Sequence, residues 1–218
     1  HSQSAGESAK ALRHRCLRAN TEVVYASYMA DYVTAADLAV KYFEGVMRLF
    51  MTHAASIFAT FFAGFSCYAA IADSAKQREK KNKYFKQYRK LAQKCRAKLE
   101  EWTSRGCPNT AHLLDLVNAE WLSLKGDTTL ALQCFQDSIR SSARRGQINI
   151  QAIGNERLAE FHIRDGEAGD ARYYFEEALR LNKEWGATTK VKALEERCDM
   201  LEIFNDTSEK AMDASTSE

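Results

Sequence analysis

The chain has 218 residues and a net charge of +2, so it can bury a core of one or two domains and provides no global field for nucleic acid or a membrane. One proline and ten glycines favour long helices over strands and turns. The six cysteines form neither a CxxC pair nor a cysteine–histidine cluster, which indicates reduced thiols in an intracellular, cytoplasmic protein and predicts no disulfide framework or metal site.

The first part of the chain predicts a polar tail followed by a helical hairpin. Residues 1–8 are polar, and we expect them to be flexible. The chain begins at His1 without an initiator methionine, so we interpret it as a piece of a longer protein. Helical spacing over 9–50 predicts a first hairpin, whose register relative to later repeats stays open between Ala35 and Ala39.

Residues 54–72 carry no charge, and their length alone would admit a membrane span. About half of them are small residues, so their apolarity is low for a helix that inserts into lipid. The sequence therefore favours a helix buried inside a bundle. A membrane-associated segment over 54–98 stays as the alternative.

A long basic helix with an apolar seam is predicted over 76–98. A solvated outer face explains its charge, and the functional alternative is a surface for an acidic partner domain, an anionic lipid or nucleic acid. The aromatic residues fall on the packing seam, so we do not predict nucleic-acid binding. The basic patch comprises Lys80, Lys81, Lys83, Lys86, Arg89, Lys90 and Lys94.

The rest of the chain contains one pattern written twice, forty residues apart, over 110–146 and 147–186. A closing helix over 187–204 and a polar tail over 206–218, predicted to be disordered, follow. One hairpin cannot cover its own apolar face, so the repeats predict an all-α solenoid of antiparallel helix hairpins, with about nine helices in one domain over 9–205. The positions expected to carry this structure are Gly126, Ala131, Phe135, Gly166, Ala171, Phe175, Trp185 and Gly186.

The spacing of small residue, glycine, alanine and aromatic residue resembles the tetratricopeptide (TPR) motif, although the period here is forty residues. Residues 131–198, and most specifically Trp185-Gly186-Ala187, are similar to the TPR-like region of large multidomain signalling proteins. In those proteins the region lies between an AAA-type ATPase segment and a sensor or histidine-kinase segment, sometimes with a serine/threonine kinase-like domain at the N-terminus. The resemblance implies a non-catalytic interaction and regulatory module that couples a nucleotide-driven part to an output part. A free-standing adaptor or a self-associating scaffold is the alternative.

The resemblance also implies a concave partner-binding groove. We hypothesise that this groove is apolar with acidic spots and accepts an apolar or basic helix, from a partner protein or from another domain of the same chain. Glutamates that are merely solvated, and a homo-oligomer, remain alternatives. The groove positions are Leu113, Leu116, Glu120 and Ser123 in the first copy and Ile153, Glu156, Glu160 and Ile163 in the second.

The sequence contains no phosphate-binding glycine loop and no HExxH pair. His14, His53, His112 and His162 are isolated from one another along the chain. We therefore predict no catalytic residue, cofactor or metal. An enzyme would need a polar pocket that combines His112 or His162 with a carboxylate.

Overall fold

The computed structural model describes residues 9–50, 54–74 and 83–203, and within these ranges the chain forms nine α-helices and no strand. The all-α class predicted from the composition is confirmed. The tails predicted at 1–8 and 206–218 lie outside the described residues. The helices are α1 (Ala9–Tyr28), α2 (Tyr32–Leu49), α3 (Ala55–Ser74), α4 (Lys83–Ser104), α5 (Ala111–Lys125), α6 (Thr128–Arg144), α7 (Ile148–Asp165), α8 (Ala168–Trp185) and α9 (Thr188–Met200).

Helices α4 to α8 all end at the same kind of turn. After each helix a glycine takes a left-handed conformation, with φ between 65° and 93°, which a residue without a Cβ adopts at little cost. The next residue then donates its N–H to the carbonyl five positions earlier, for example from Ala187 to Asn182 at 2.9 Å. These glycines stand twenty residues apart, so one stop signal ends both helices of each sequence copy. They are Gly106, Gly126, Gly146, Gly166 and Gly186.

The chain divides into two compact units, residues 1–131 and 132–218, with the boundary inside α6. The sequence predicted one domain over 9–205 and did not predict this division. In the first unit α3 lies innermost and contacts α1, α2, α4 and α5. Phe61 and Phe65 of α3 are fully buried and stack with ring centroids 5.4 Å apart.

Among the described residues, α3 is the one helix long and apolar enough to cross a membrane, and 83% of its most apolar window is buried in the fold. Its small residues allow a neighbouring helix to come close. A Cβ added to Gly64 would lie only 2.6 Å from the Cβ of Cys95 on α4. The predicted role of the uncharged stretch as a buried inner helix matches this packing.

In the second unit α7 packs against α8, and α8 packs against α9. The Phe135 ring of α6 meets the Phe161 ring of α7 at 5.6 Å. A further apolar cluster joins α7, α8 and α9. Its buried members are Ala159, Ala171, Phe175, Ala178, Leu179, Leu194, Cys198 and Ile203.

Equivalent positions of the two sequence copies have equivalent burial. The pairs Ala119 and Ala159, Ala131 and Ala171, and Phe135 and Phe175 are all fully buried. Trp185 differs from these positions because it is the last residue of α8 and keeps 43% of its surface exposed. It therefore marks a helix end and is not a core residue.

Candidate functional site: the acidic face of α7

Helix α7 is buried nearly all round, and it carries two carboxylates among its covered side chains. Glu156 is 5% exposed, and the side chain of Glu160 is 16% exposed. Residues four apart lie on the same side of a helix, so the two glutamates form one row, which we call the acidic face of α7. A buried carboxylate is costly unless it is paired and hydrogen-bonded. Each of these two has a basic partner on α9.

Lys190 of α9 supplies the first partner. Its Nζ donates to Oε1 of Glu156 at 2.6 Å, and both side chains are 7% exposed. Removing two charges from water costs about as much as their attraction returns, so such a pair selects a docking geometry more than it adds stability. The pair therefore fixes the position of α9 along α7.

Arg197 of α9 supplies the second partner through two hydrogen bonds. Its Nε donates to Oε1 of Glu160 at 2.8 Å, and its Nη2 donates to Oε2 at 3.1 Å. Burial alone would raise the pKa of Glu160, but the bonds and charge of Arg197, with the charges of Arg157 and Arg164, hold that pKa below its ordinary value. Glu160 is therefore held as a carboxylate, and this fork-to-carboxylate geometry favours arginine over lysine.

Beside these two pairs, α9 presents an apolar stripe. Leu194, four residues after Lys190, is 1% exposed, and Cys198 is fully buried. Both belong to the cluster that contains Ala159 of α7 and Phe175 of α8. Burial raises the pKa of Cys198 to about 12, so its thiol is protonated and unreactive while α9 is docked.

The predicted groove positions differ in their burial. Leu113, Leu116 and Glu120 are fully buried, and Ser123 is half-buried. In the second copy Ile153 and Glu156 are buried, while Glu160 and Ile163 are half-buried. Five of the eight positions are thus buried, and Glu156 and Glu160 are paired with residues of α9.

The basic partners of the acidic face were missed at the sequence level. The prediction of a closing helix over 187–204 gives no role to Lys190 or Arg197. A signal was present, because two basic residues seven apart fall on one side of a helix and flank a leucine. Glu156 and Glu160, four residues apart on a helix that is otherwise largely buried, are the acidic residues that these two basic residues contact.

The predicted basic patch is described only in part. Lys80 and Lys81 lie outside the described residues, and Lys83 is the first residue of α4. Lys86, Arg89 and Lys90 are exposed on α4, as expected for a solvated outer face. Lys94 is also exposed, and it pairs with Glu44 of α2 while its Nζ lies 5.7 Å from the ring centre of Phe43.

A cleft of about 330 Å³ lies between α2 and α4, on the first unit. Its apolar floor includes Phe43 and Met47. Lys94 pairs with Glu44, and Lys98 donates to Glu101 at 2.8 Å, so the charges around the cleft neutralise each other. This arrangement offers no unpaired charge for an ionic ligand.

His162 of α7 lies near a carboxylate. Its Nδ1 is 4.0 Å from Oδ2 of Asp170, and its ring stacks on Tyr174 with centroids 5.4 Å apart. The side chain is buried by this packing. Across 9–50, 54–74 and 83–203, no group of three or more His, Cys, Asp or Glu residues could hold a metal ion.

Comparison with known proteins identifies no relative of this chain. No protein-family model, no curated protein and no solved structure matches the chain. The resemblance to the TPR-like region of signalling proteins therefore stays a prediction.

Proposed function

We propose that this chain is a non-catalytic helical scaffold that binds a helix of a partner protein or of another domain, as an interaction and regulatory module of a larger ATPase and kinase type signalling protein. The observation that carries the proposal is the docking of α9 on the acidic face of α7. There a helix is recognised by two ion pairs with an apolar stripe beside them. This is the helix-in-groove mode, in which spaced anchors on one side of a helix provide affinity and register.

The placement of charge on the helix matters more than its total charge. Residues 187–203 contain three basic and four acidic side chains, so the segment as a whole is not basic. Lys190 and Arg197 meet the acidic face, whereas Lys192, Glu195 and Glu196 are exposed on the other side. A partner helix would therefore be selected by where its basic residues stand relative to its apolar stripe.

The proposal can be tested by supplying the helix in trans. The full chain carrying Lys190→Glu and Arg197→Glu should release its own α9, and a labelled peptide of residues 187–203 with Cys198→Ser should then bind in a saturable way by fluorescence polarisation. The same peptide with both charge reversals should bind at least about ten-fold more weakly, which corresponds to about 1.4 kcal/mol.

A matched control keeps the released chain and changes only the site. Adding Glu156→Gln and Glu160→Gln to the released chain should weaken binding of the unreversed peptide by at least about ten-fold, because both of its ion pairs are lost and the chain's own α9 gains no charge-swapped site. Circular dichroism should show that each variant keeps its helical content. A folded, released chain that does not bind the unreversed peptide would contradict the proposal.

A further inference from the structure

Helix α9 is held to the second unit by few contacts. It has thirteen residues, a length at which an isolated helix is only marginally stable in water. Only Lys190, Leu194 and Cys198 are buried within it, and one of these three is a lysine. By contrast, α7 buries eleven of its eighteen residues. A smaller share of α9 than of α7 is therefore buried in this unit.

The N-terminal end of α9 is linked to α8 by a short turn. Its N-cap residue is Ala187, which offers no side-chain acceptor to the first turn. Gly186 lies immediately before it with φ at 79°, so a residue with wide backbone freedom separates α9 from α8. The preceding glycine and the N-cap without a side-chain hydrogen bond are shared with α7 and α8, so what distinguishes α9 is its short length and its three buried residues.

The ion pairs make this opening inexpensive. When α9 leaves, Glu156 and Glu160 become hydrated, so neither carboxylate is left buried without a partner. The exposed ion pair of Lys183 with Glu195, at 3.0 Å, adds little resistance because water screens it. What the opening uncovers is an apolar strip around Phe175 with two carboxylates beside it.

We propose that α9 can detach from the acidic face and that, while docked, it blocks the binding of a competing amphipathic helix. The competing helix carries two basic residues seven apart, with a leucine four residues after the first. This inference rests on the proposed function and adds the class of partner and its regulation. The competitor has the chemistry of α9 itself: a basic residue for Glu156, a second for Glu160, and an apolar stripe beside them. A competing helix must displace α9, so the stability of docked α9 lowers the apparent affinity of the competing helix.

Cys198 provides a native reporter of the opening. It lies on α9 and is buried in the cluster with Ala159 of α7 and Phe175 of α8, whereas Cys67 and Cys95 are buried in the first unit. In the native full chain, alkylation by N-ethylmaleimide followed by mass spectrometry at each cysteine measures the three rates at once. We expect Cys198 to react at least ten-fold faster than Cys67 and Cys95.

Two lysines of the same helix form the matched variant pair. Lys190 is buried and paired, whereas Lys192, two residues later, is exposed. Lys190→Glu should raise the Cys198 rate by a further ten-fold or more, and Lys192→Glu should leave it unchanged. An excess of the Cys198→Ser peptide of residues 187–203 should also raise the rate in the native chain, and the charge-reversed peptide should not.

The possible failures are distinguishable. If the peptide binds the released chain but Cys198 of the native chain reacts no faster than Cys67 and Cys95, α9 leaves only on global unfolding and this inference is wrong, while the proposed function stands. If the peptide binds no folded form of the chain, the proposed function fails and the inference fails with it.

Discussion

Lys190 and Glu156 are separated by 34 residues in the chain and meet in a buried ion pair, with Nζ 2.6 Å from Oε1. Neither side chain would be covered without the other, because an unpaired buried charge costs several kcal/mol. The pair thus makes the position of α9 conditional on the charge of α7. This relationship connects the fold of the second unit with its proposed role.

The first prediction concerns the two lysines of α9. Lys190→Glu should lower the free energy of unfolding by up to about 3 kcal/mol, since it places two carboxylates together until α9 detaches and both are hydrated. Lys192→Glu should change it by less than about 0.5 kcal/mol because that side chain is exposed. Urea unfolding monitored by circular dichroism measures both. Equal effects would mean that Lys190 is not buried in its pair.

The second prediction concerns pH. The pKa of Glu160 is lowered in the folded chain, so its ion pair stabilises the fold above the ordinary glutamate pKa of about 4.3. That stability is lost as the pH falls through the lower folded value. The difference in unfolding free energy between the native chain and Glu160→Gln should therefore be largest near neutral pH and shrink in acid. A difference that does not change with pH would contradict the assigned pairing with Arg197.

The third prediction concerns thiol reactivity in the first unit. Burial raises the pKa values of Cys67 and Cys95 well above the ordinary range, so neither thiol should react in the folded chain. Cys107 is only half-buried in the turn after α4. It should therefore be modified before Cys67 and Cys95 at every pH at which the chain is folded. Per-site mass spectrometry gives the order, and early modification of Cys95 would contradict the packing of α3 on α4.

The fourth prediction uses two glycines within helices. At Gly64 an added methyl would lie 2.6 Å from the Cβ of Cys95, so Gly64→Ala should destabilise the chain by about 1 to 3 kcal/mol. At Gly169 of α8 nothing lies within 4 Å of an added Cβ. Gly169→Ala should therefore stabilise it by about 0.5 to 1 kcal/mol through helix propensity. Melting temperatures that move in the same direction for both would contradict the close approach at Gly64.

The fifth prediction concerns the matched core positions of the repeats. Phe175→Ala should cost about 3 to 5 kcal/mol because it empties a fully buried site. Ala171→Arg should unfold the second unit, since it combines overpacking with an unpaired buried charge. The exposed Tyr173 on the same helix is the control, and Tyr173→Ala should have little effect. A Phe175→Ala chain as stable as the native one would contradict the register of the second copy.

The sequence predicted the helices well because the signals that form them are local. Apolar spacing identifies each helix. Glycines such as Gly126 and Gly166 end the helices in a left-handed backbone conformation that is unfavourable for a residue with a Cβ. Asp127 is likewise readable as an N-cap, and its carboxylate accepts from the N–H of Leu130 at 3.2 Å. The glycines that end the helices also recur every twenty residues in the sequence, which is half of the forty-residue repeat.

The candidate site was less predictable because it depends on which helix covers which face. Spacing places Glu156 and Glu160 on one side of α7, but it does not say whether solvent, a partner or the chain itself lies there. The contacts of Lys190 and Arg197 with α7 depend on tertiary packing, because the short turn at Gly186 and the packing of Leu194 position α9. The same reasoning explains Trp185, which was predicted among the core or turn positions and which its place at the end of α8 leaves exposed.

The most direct test of the central claim is a charge-swap cycle between positions 156 and 190, measured by hydrogen exchange of the α9 amides. Glu156→Lys alone and Lys190→Glu alone should each accelerate exchange in α9 relative to α7 and α8, and the chain carrying both should recover most of the lost protection. If the single changes leave the exchange of α9 unaltered, or if the double variant shows the sum of the two losses, the acidic face of α7 does not recognise α9 through this pair.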